Sequence, residues 1–164
     1  MKETAAIHNV IIIGSGPAGL TAGIYTARAD LKPLIIEGKN PGGQLMGTSF
    51  VENWPGNTSI LGPTLMNHMR NHATALGCAF SQQEVISVDF TQQPFIIQTK
   101  RAIFKTKSVI IATGASPKKL DVPGQEQYWG KGVTVCAVCD GAFYRDKQVV
   151  VVGGVTLLWK MHPF

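Results

Sequence analysis

The chain has 164 residues, 45% of them hydrophobic and 15% charged, with a formal net charge of +5. This balance excludes a disordered chain, and no apolar run approaches the ~20 residues of a membrane-spanning helix. The opening MKETAAIHNV has no long apolar h-region, so no signal peptide is expected and the protein is read as cytoplasmic, with no membrane partner.

Residues 7–13, IHNVIII, form a continuous apolar run of strand length. It enters GSGPAGLTAGIYTARAD. There Pro17 suits a first helical turn, and Leu20, Ile24 and Ala27 recur at helical spacing. LKPLII is a second short strand, closed by Glu37. The three segments make a β-α-β unit of about 30 residues, a right-handed crossover. Residues 39–61 are rich in Gly and Pro and read as loop. GPTLMNHMRNHATAL at 62–76 reads as a helix with Pro63 in its first turn and Leu65, Met69 and Leu76 on one face. From 79 to 112 the pattern is β: EVISVDF, PFIIQTK and AIFKTKSVIIATG, a meander that returns to a buried strand. The densest basic group, Lys100, Arg101, Lys105 and Lys107, falls on these strands. It reads as a solvated face rather than a nucleic-acid surface. ASPKKLDVP at 115–123 reads as a linker, followed by KGVTVCAVCDGAFYRDK and a strand QVVVV. VIIIGSG at 10–16 and VVVVGGV at 149–155 are the one internal echo: each runs from an apolar strand into glycines.

Gly14, Gly16 and Gly19 form G-x-G-x-x-G between a strand and a helix, and an acid closes the next strand. That context makes a dinucleotide fingerprint out of an otherwise weak motif. Gly14 permits the tight turn, Gly16 lets backbone N–H groups approach a pyrophosphate, and Gly19 lets the helix pack closely. The helix N-terminus adds about half a positive charge. Glu37 can accept hydrogen bonds from ribose hydroxyls. The competing reading makes these glycines packing residues only. The loop after the second strand carries Gly42, Gly43, Gln44 and Leu45, and the last meander strand ends at Ala112, Thr113 and Gly114. Small residues at both places suit a wide, flat flavin. Gln44 and Asn53 could bond its ring or ribitol, or could simply cap their loops.

Cys136 and Cys139 are three apart, so on a helical turn the two thiols share one side. Asp140 follows at once. It could shuttle the proton that thiol–disulfide exchange must move, or it could belong to a plain Asp-Gly turn. A zinc reading would join the two cysteines to His68 and His72, spaced i, i+4 on the expected helix. The redox reading is preferred, with no metal. Cys78, alone, reads as a small core residue.

GSGPAGLTAGIYTARA, GGQL, VENWPG, IIATGASPK and CAVCDGAFYRDK, in this order and spacing, resemble low-molecular-weight, bacterial-type thioredoxin reductase over residues 8 to about 154. The resemblance implies an α/β protein. An FAD-binding Rossmann-like domain, β-α-β with a β-meander, would lead into the start of a second, NADPH-binding Rossmann-like domain. Residues 1–114 would be the N-terminal part of the first and 115–123 the linker. Residues 124–154 would begin the NADPH and redox-disulfide domain, and 155–164 would be an aberrant tail. It implies an NADPH-dependent thioredoxin-disulfide reductase, homodimeric in its family form, with thioredoxin as partner. By position, Ser15, Gly16, Pro17 and Ala18 would sit at the pyrophosphate, Gln44 and Asn53 near flavin and ribitol, and Val85 at the adenine end through its backbone. Cys139 would face the flavin, Cys136 would attack the thioredoxin disulfide, and Asp140 would protonate the leaving thiolate. Gly153 and Gly154 would open the NADPH turn.

The tail departs from that pattern. Trp and Met have single codons, so Leu158-Trp159-Lys160-Met161-His162 constrains the DNA. Read one base earlier, the string forces Glu and Ala and permits GGGDSAMEDA, which resembles the family's second nucleotide turn. The expectation is therefore a frameshift after Gly154 and a truncated, inactive chain. A non-catalytic FAD- or nucleotide-binding module and an unstable pseudogene fragment are the alternatives.

Overall fold

The computed structural model describes residues 2–153. Gly154, the expected aberrant tail at 155–164 and the side chain of Cys139 lie outside the described residues. The chain divides into two compact units, Met1–Ala115 and Ser116–Phe164.

The first unit is built on a six-stranded sheet. In chain order its elements are β1 (Lys2–Ile13), α1 (Pro17–Arg28), β2 (Leu34–Ile36), a two-stranded ribbon of β3 (Phe50–Val51) and β4 (Ile60–Leu61), α2 (Gly62–Ala75), β5 (Ala79–Ser81), β6 (Val85–Asp89), β7 (Phe95–Thr99) and β8 (Ala102–Ile111). The sheet order is β5-β2-β1-β8-β7-β6. β5, β2, β1 and β8 run parallel, while β8, β7 and β6 form the antiparallel meander. The α/β class expected from the sequence is the one observed. One rearrangement is informative. The start of the 79–112 region does not join the meander; it crosses to the far edge as β5, beside β2. β2 itself starts three residues later than LKPLII suggests. Lys32 has φ of 49° and Pro33 has no N–H, so neither can continue a ladder.

Parallel strands are covered on both faces, which is why they read as unbroken apolar runs. Register decides which side chain goes where. Ile12 pairs with Ile35 and Ile110, and these face the helices, packing with Leu20, Leu65, Met66, Met69 and Ala73. Ile11 and Ile13 pair with Leu34 and Ile36 and face the other way, with Ile97 and Phe104. Ile11, Ile12 and Ile35 have no exposed surface. Each contributes roughly 1.5–3 kcal/mol by burial. Leu76, expected on the buried face of the second helix, is instead its exposed C-cap residue.

Cys78 lies in the helix-facing cluster and is a free, buried thiol. Burial pushes its pKa up, because the thiolate loses its water. The thiolate is the form that alkylates. The native chain is therefore expected to leave Cys78 unlabelled by iodoacetamide while the unfolded chain labels promptly, read by mass spectrometry. Cys78→Ser should cost about 1–3 kcal/mol in thermal unfolding, the penalty for burying a hydroxyl in place of a thiol.

The second unit carries α3 (Ala137–Asp140) and a 3-10 turn at Gly141–Tyr144. Buried Gln125 accepts hydrogen bonds from the N–H groups of Leu120 and Asp121, at 2.8 and 3.1 Å. The sequence reading of QVVVV at 148–152 as a strand is corrected here. Those residues pair with nothing in a sheet, and Val150 is 90% exposed. A continuous apolar run becomes a buried strand only where neighbouring strands take its N–H and C=O groups and another layer covers it. Among the described residues, the second unit offers no such strand. No helix of the described residues is long and apolar enough to cross a membrane.

Candidate dinucleotide site and redox disulfide

The parallel strands end together, and their carboxyl ends carry the expected ligand turns. Gly14 follows β1 with φ of 106°, and a Cβ there would overlap the Ala112 carbonyl oxygen and lie 2.8 Å from its carbon. Only glycine lets the ends of β1 and β8 approach so closely. The Ala112 N–H in turn donates to the Ile13 carbonyl at 2.8 Å. A Cβ on Gly19 would overlap the Gly14 carbonyl oxygen, so α1 packs directly on the turn. At Gly16 a Cβ would meet nothing within 4 Å. The turn is closed beneath and open above, as a phosphate cradle must be. Pro17 starts α1 with no N–H to leave unpaired, and the N–H groups of Ala18 and Gly19 have no intrahelical acceptor. No acidic residue lies in the first turn of α1 to neutralise its positive end.

Ser15 is buried beneath this turn, and its Oγ accepts a hydrogen bond from the Gly42 N–H at 3.1 Å. That bond draws the second Gly-rich loop over the first: a Cβ on Gly43 would lie 3.3 Å from the Gly16 Cα. Gln44 and Leu45 follow on a 3-10 turn at Gly43–Gly47. Gln44 donates through Nε2 to the Ala115 carbonyl, so here its amide ties two loops together. Thr113 and Gly114 are exposed in the turn after β8, and Asn53 is exposed after β3. Val85 opens β6, half-buried and opposite Thr99.

A cavity of about 270 Å³ lies between these turns and α2. Ser15, Leu20, Glu37, Gly42, Met66 and Arg70 are among its lining residues. It falls just below the usual range of about 300–1,000 Å³ for ligand cavities, so it suits one nucleoside end of a dinucleotide rather than the whole. Glu37 is where the motif requires it, at the end of β2. It is not alone. The Arg70 guanidinium grips it at both oxygens, Nη1 on Oε1 and Nη2 on Oε2, the latter at 3.2 Å. Arg70 in turn lies over the Phe80 ring, 4.1 Å from its centroid. Sequence reasoning missed Arg70. The available signal was its position four residues after Met66, beside the buried stripe of α2 (Leu65, Met66, Met69, Ala73). A lone arginine bordering an apolar stripe needs a partner.

In the second unit, Cys136 is disulfide-bonded. Cys139 lies on α3, and the Asp140 N–H donates to the Cys136 carbonyl at 3.0 Å. Thr134, also missed, connects the group: its hydroxyl donates to Asp140 Oδ2 and accepts from the Cys136 N–H, the latter at 3.2 Å. His68 and His72 are exposed on α2, in the first unit. The zinc alternative needs the Cys136 thiolate, which a disulfide removes.

A family profile for pyridine nucleotide-disulphide oxidoreductases matches residues 8–156. The chain belongs to this family. Among similar proteins, the thioredoxin reductase of Coxiella burnetii is 50% identical over 148 residues, covering 90% of this chain and 46% of that protein. A glucosaminate ammonia-lyase of Pseudomonas fluorescens is 49% identical over 146 residues, covering 88% of this chain and 46% of that protein. The crystal structure of thioredoxin reductase from Streptococcus pyogenes superposes with a TM-score of 0.77 at 43% identity. That match covers 87% of this chain and 47% of the other. The chain thus spans about half the length of the curated relatives it matches. Within the oxidoreductase family, the matched region holds both the dinucleotide turn and the Cys136 disulfide.

Proposed function

We propose that the chain carries the FAD-binding and redox-disulfide parts of a cytoplasmic, NADPH-dependent thioredoxin-disulfide reductase that works as a homodimer with thioredoxin as its partner. Residues 1–114 would be the flavin domain and 124–154 the start of the NADPH and disulfide domain. Similarity alone does not choose the reaction, since relatives at 50% and 49% identity carry different names. The observation that supports the reductase reading is the disulfide at Cys136, at the head of Cys-Ala-Val-Cys-Asp-Gly. An ammonia elimination has no use for an oxidised dithiol; a disulfide reductase does.

The first unit fits the nucleotide. Backbone N–H groups at Gly16–Gly19 would hold the pyrophosphate and Glu37 the ribose. The Gly42–Leu45 loop, Ala112–Gly114 and Asn53 would border the flavin, and the Val85 backbone the adenine end. When bound, FAD supplies two-electron chemistry between a hydride donor and a disulfide. In the exchange step, the reduced Cys136 thiolate attacks one sulfur of the thioredoxin disulfide. That S–S bond breaks, a mixed disulfide forms, and Asp140 delivers a proton to the departing thiolate. Cys139 then attacks Cys136, restores the disulfide within this chain and releases dithiol thioredoxin. Gly153, with φ of 81°, and Gly154 would open the NADPH turn.

Single cysteines test the assignment. Reduced Cys139→Ser chain, mixed with thioredoxin carrying a chromogenic disulfide on its exposed thiol, should release the chromophore and form a one-to-one adduct through Cys136. Reduced Cys136→Ser should do so far more slowly. Equal adduct yields from both variants, or none from either, would remove the thioredoxin reading.

A further inference from the structure

The Glu37–Arg70 pair does more than neutralise a buried charge. We propose that Arg70 is a positioning residue that makes the cavity selective for ribose, by fixing the carboxylate plane of Glu37 against the 2′-hydroxyl of the sugar. The inference rests on the dinucleotide reading and adds to it a residue on α2, which the turn motif does not contain.

Three observations carry it. First, the grip is bidentate, so the plane of the carboxylate is set and not only its distance. A carboxylate has about four lone-pair sites, and the guanidinium occupies one on each oxygen. One outer site per oxygen is left, and because these two sites diverge the held carboxylate can accept one sugar hydroxyl. Second, the guanidinium is itself pinned. It lies over Phe80 on β5, a strand separate from both Glu37 and α2, so the fork has little freedom to follow a moving carboxylate. Third, the Glu37 side chain is only 4% exposed, while that of Arg70 is 38% exposed, and both line the same cavity. The pair is therefore not sealed in the core. Its inner member is held by its outer member, at the wall a nucleoside would touch.

A purely structural ion pair would hold the fold without changing which sugar binds. The experiment separates the two by titrating the 164-residue chain with ADP and with 2′-deoxy-ADP, read by calorimetry. The parent should prefer ADP roughly tenfold or more, the scale of one hydrogen bond to a charged group. In Arg70→Gln the two affinities should converge, because the carboxylate is no longer held in plane. Arg70→Lys should keep part of the preference, since one ammonium can hold one oxygen but cannot set the plane. The double variant Glu37→Gln/Arg70→Gln carries no unpaired charge and guards against a failure to fold. Its ratio should match that of Arg70→Gln, as expected for two residues acting as one unit. An unchanged or larger preference for ADP in folded Arg70→Gln or Arg70→Lys overturns the role of Arg70 and leaves the dinucleotide site standing. A parent chain that binds neither nucleotide overturns both.

Discussion

A Gly19→Ala chain is expected to melt well below the parent and to lose ADP binding. The added Cβ would overlap the Gly14 carbonyl oxygen and lie 2.9 Å from the Gly14 carbonyl carbon, and both atoms are backbone. No side chain can rotate away to relieve that contact. Either α1 lifts off the turn or the turn opens, and both destroy the array of N–H groups that would meet a pyrophosphate. Overpacking of this kind costs about 1–3 kcal/mol or more. A helix gains up to ~1 kcal/mol from Gly→Ala, which offsets only part of it. With roughly 4–8 °C per kcal/mol for a domain of this size, Tm should fall by about 5–15 °C. Gly16→Ala is the control. Its Cβ meets nothing and its φ of −68° suits alanine, so Tm should hold while ADP binding weakens, because the new methyl group stands where the ligand would lie. Thermal unfolding by circular dichroism and an ADP titration read both. Equal Tm values for the parent and Gly19→Ala would show that the turn and helix are not packed as described.

The same contrast explains what was legible in the sequence. Gly14 and Gly19 act through backbone contacts between residues close in the chain, and such contacts leave a fixed spacing. The β-α-β unit, its strand faces and the acid at the end of β2 follow from periodicities of the same local kind. β5 did not follow. Ala79-Phe80-Ser81 is as apolar as a meander strand should be. Its place beside β2 is set by the Ala79 N–H bonding to the Pro33 carbonyl at 3.0 Å, across a long stretch of chain. QVVVV failed in the opposite direction. Four valines state a propensity, but a strand also needs partners, and propensity carries no information about them.

Site residues divide in the same way. Those that contribute backbone were readable: Gly14 and Gly43 meet backbone where a Cβ would go, Gly42 has a left-handed φ of 85°, and Gly16 leaves the space above the turn open. Those that contribute a side chain to another side chain were not. Arg70 reaches Glu37 from another element, and Thr134 joins Cys136 to Asp140 through a single hydroxyl. Neither residue type at either position is unusual enough to stand out in one sequence. Gln44 shows the converse. As an amide on a Gly-rich loop it suggested a flavin contact, and its Nε2 also donates to the Ala115 carbonyl, a bond between two loops that the sequence did not show.

Asp140→Asn is expected to slow thiol–disulfide exchange with thioredoxin by roughly 10²-fold or more, the usual scale for a positioned acid–base group. Under the proposed exchange chemistry the carboxylate has a defined task. Its backbone N–H is tied to the Cys136 carbonyl, which holds the two residues one helical turn apart. Its Oδ2 accepts the Thr134 hydroxyl, and that hydroxyl accepts the Cys136 N–H. The loop of bonds holds Oδ2, and in the proposed exchange Oδ1 would move the proton that a departing thiolate requires. Asparagine keeps the size and can still accept from Thr134, but it cannot carry a proton. Thr134→Val should give a smaller loss, because the acid remains and only its restraint is gone. Removing the hydroxyl should also cost about 0.5–1.5 kcal/mol of stability, the net worth of an ordinary hydrogen bond. Single-turnover mixing of pre-reduced chain with thioredoxin disulfide measures the rates, and Cys139→Ser isolates the first attack. If Asp140→Asn exchanges as fast as the parent, Asp140 does no proton transfer. Its bonds to Thr134 and Cys136 would then describe the end of a short helix and the Asp-Gly turn that follows it.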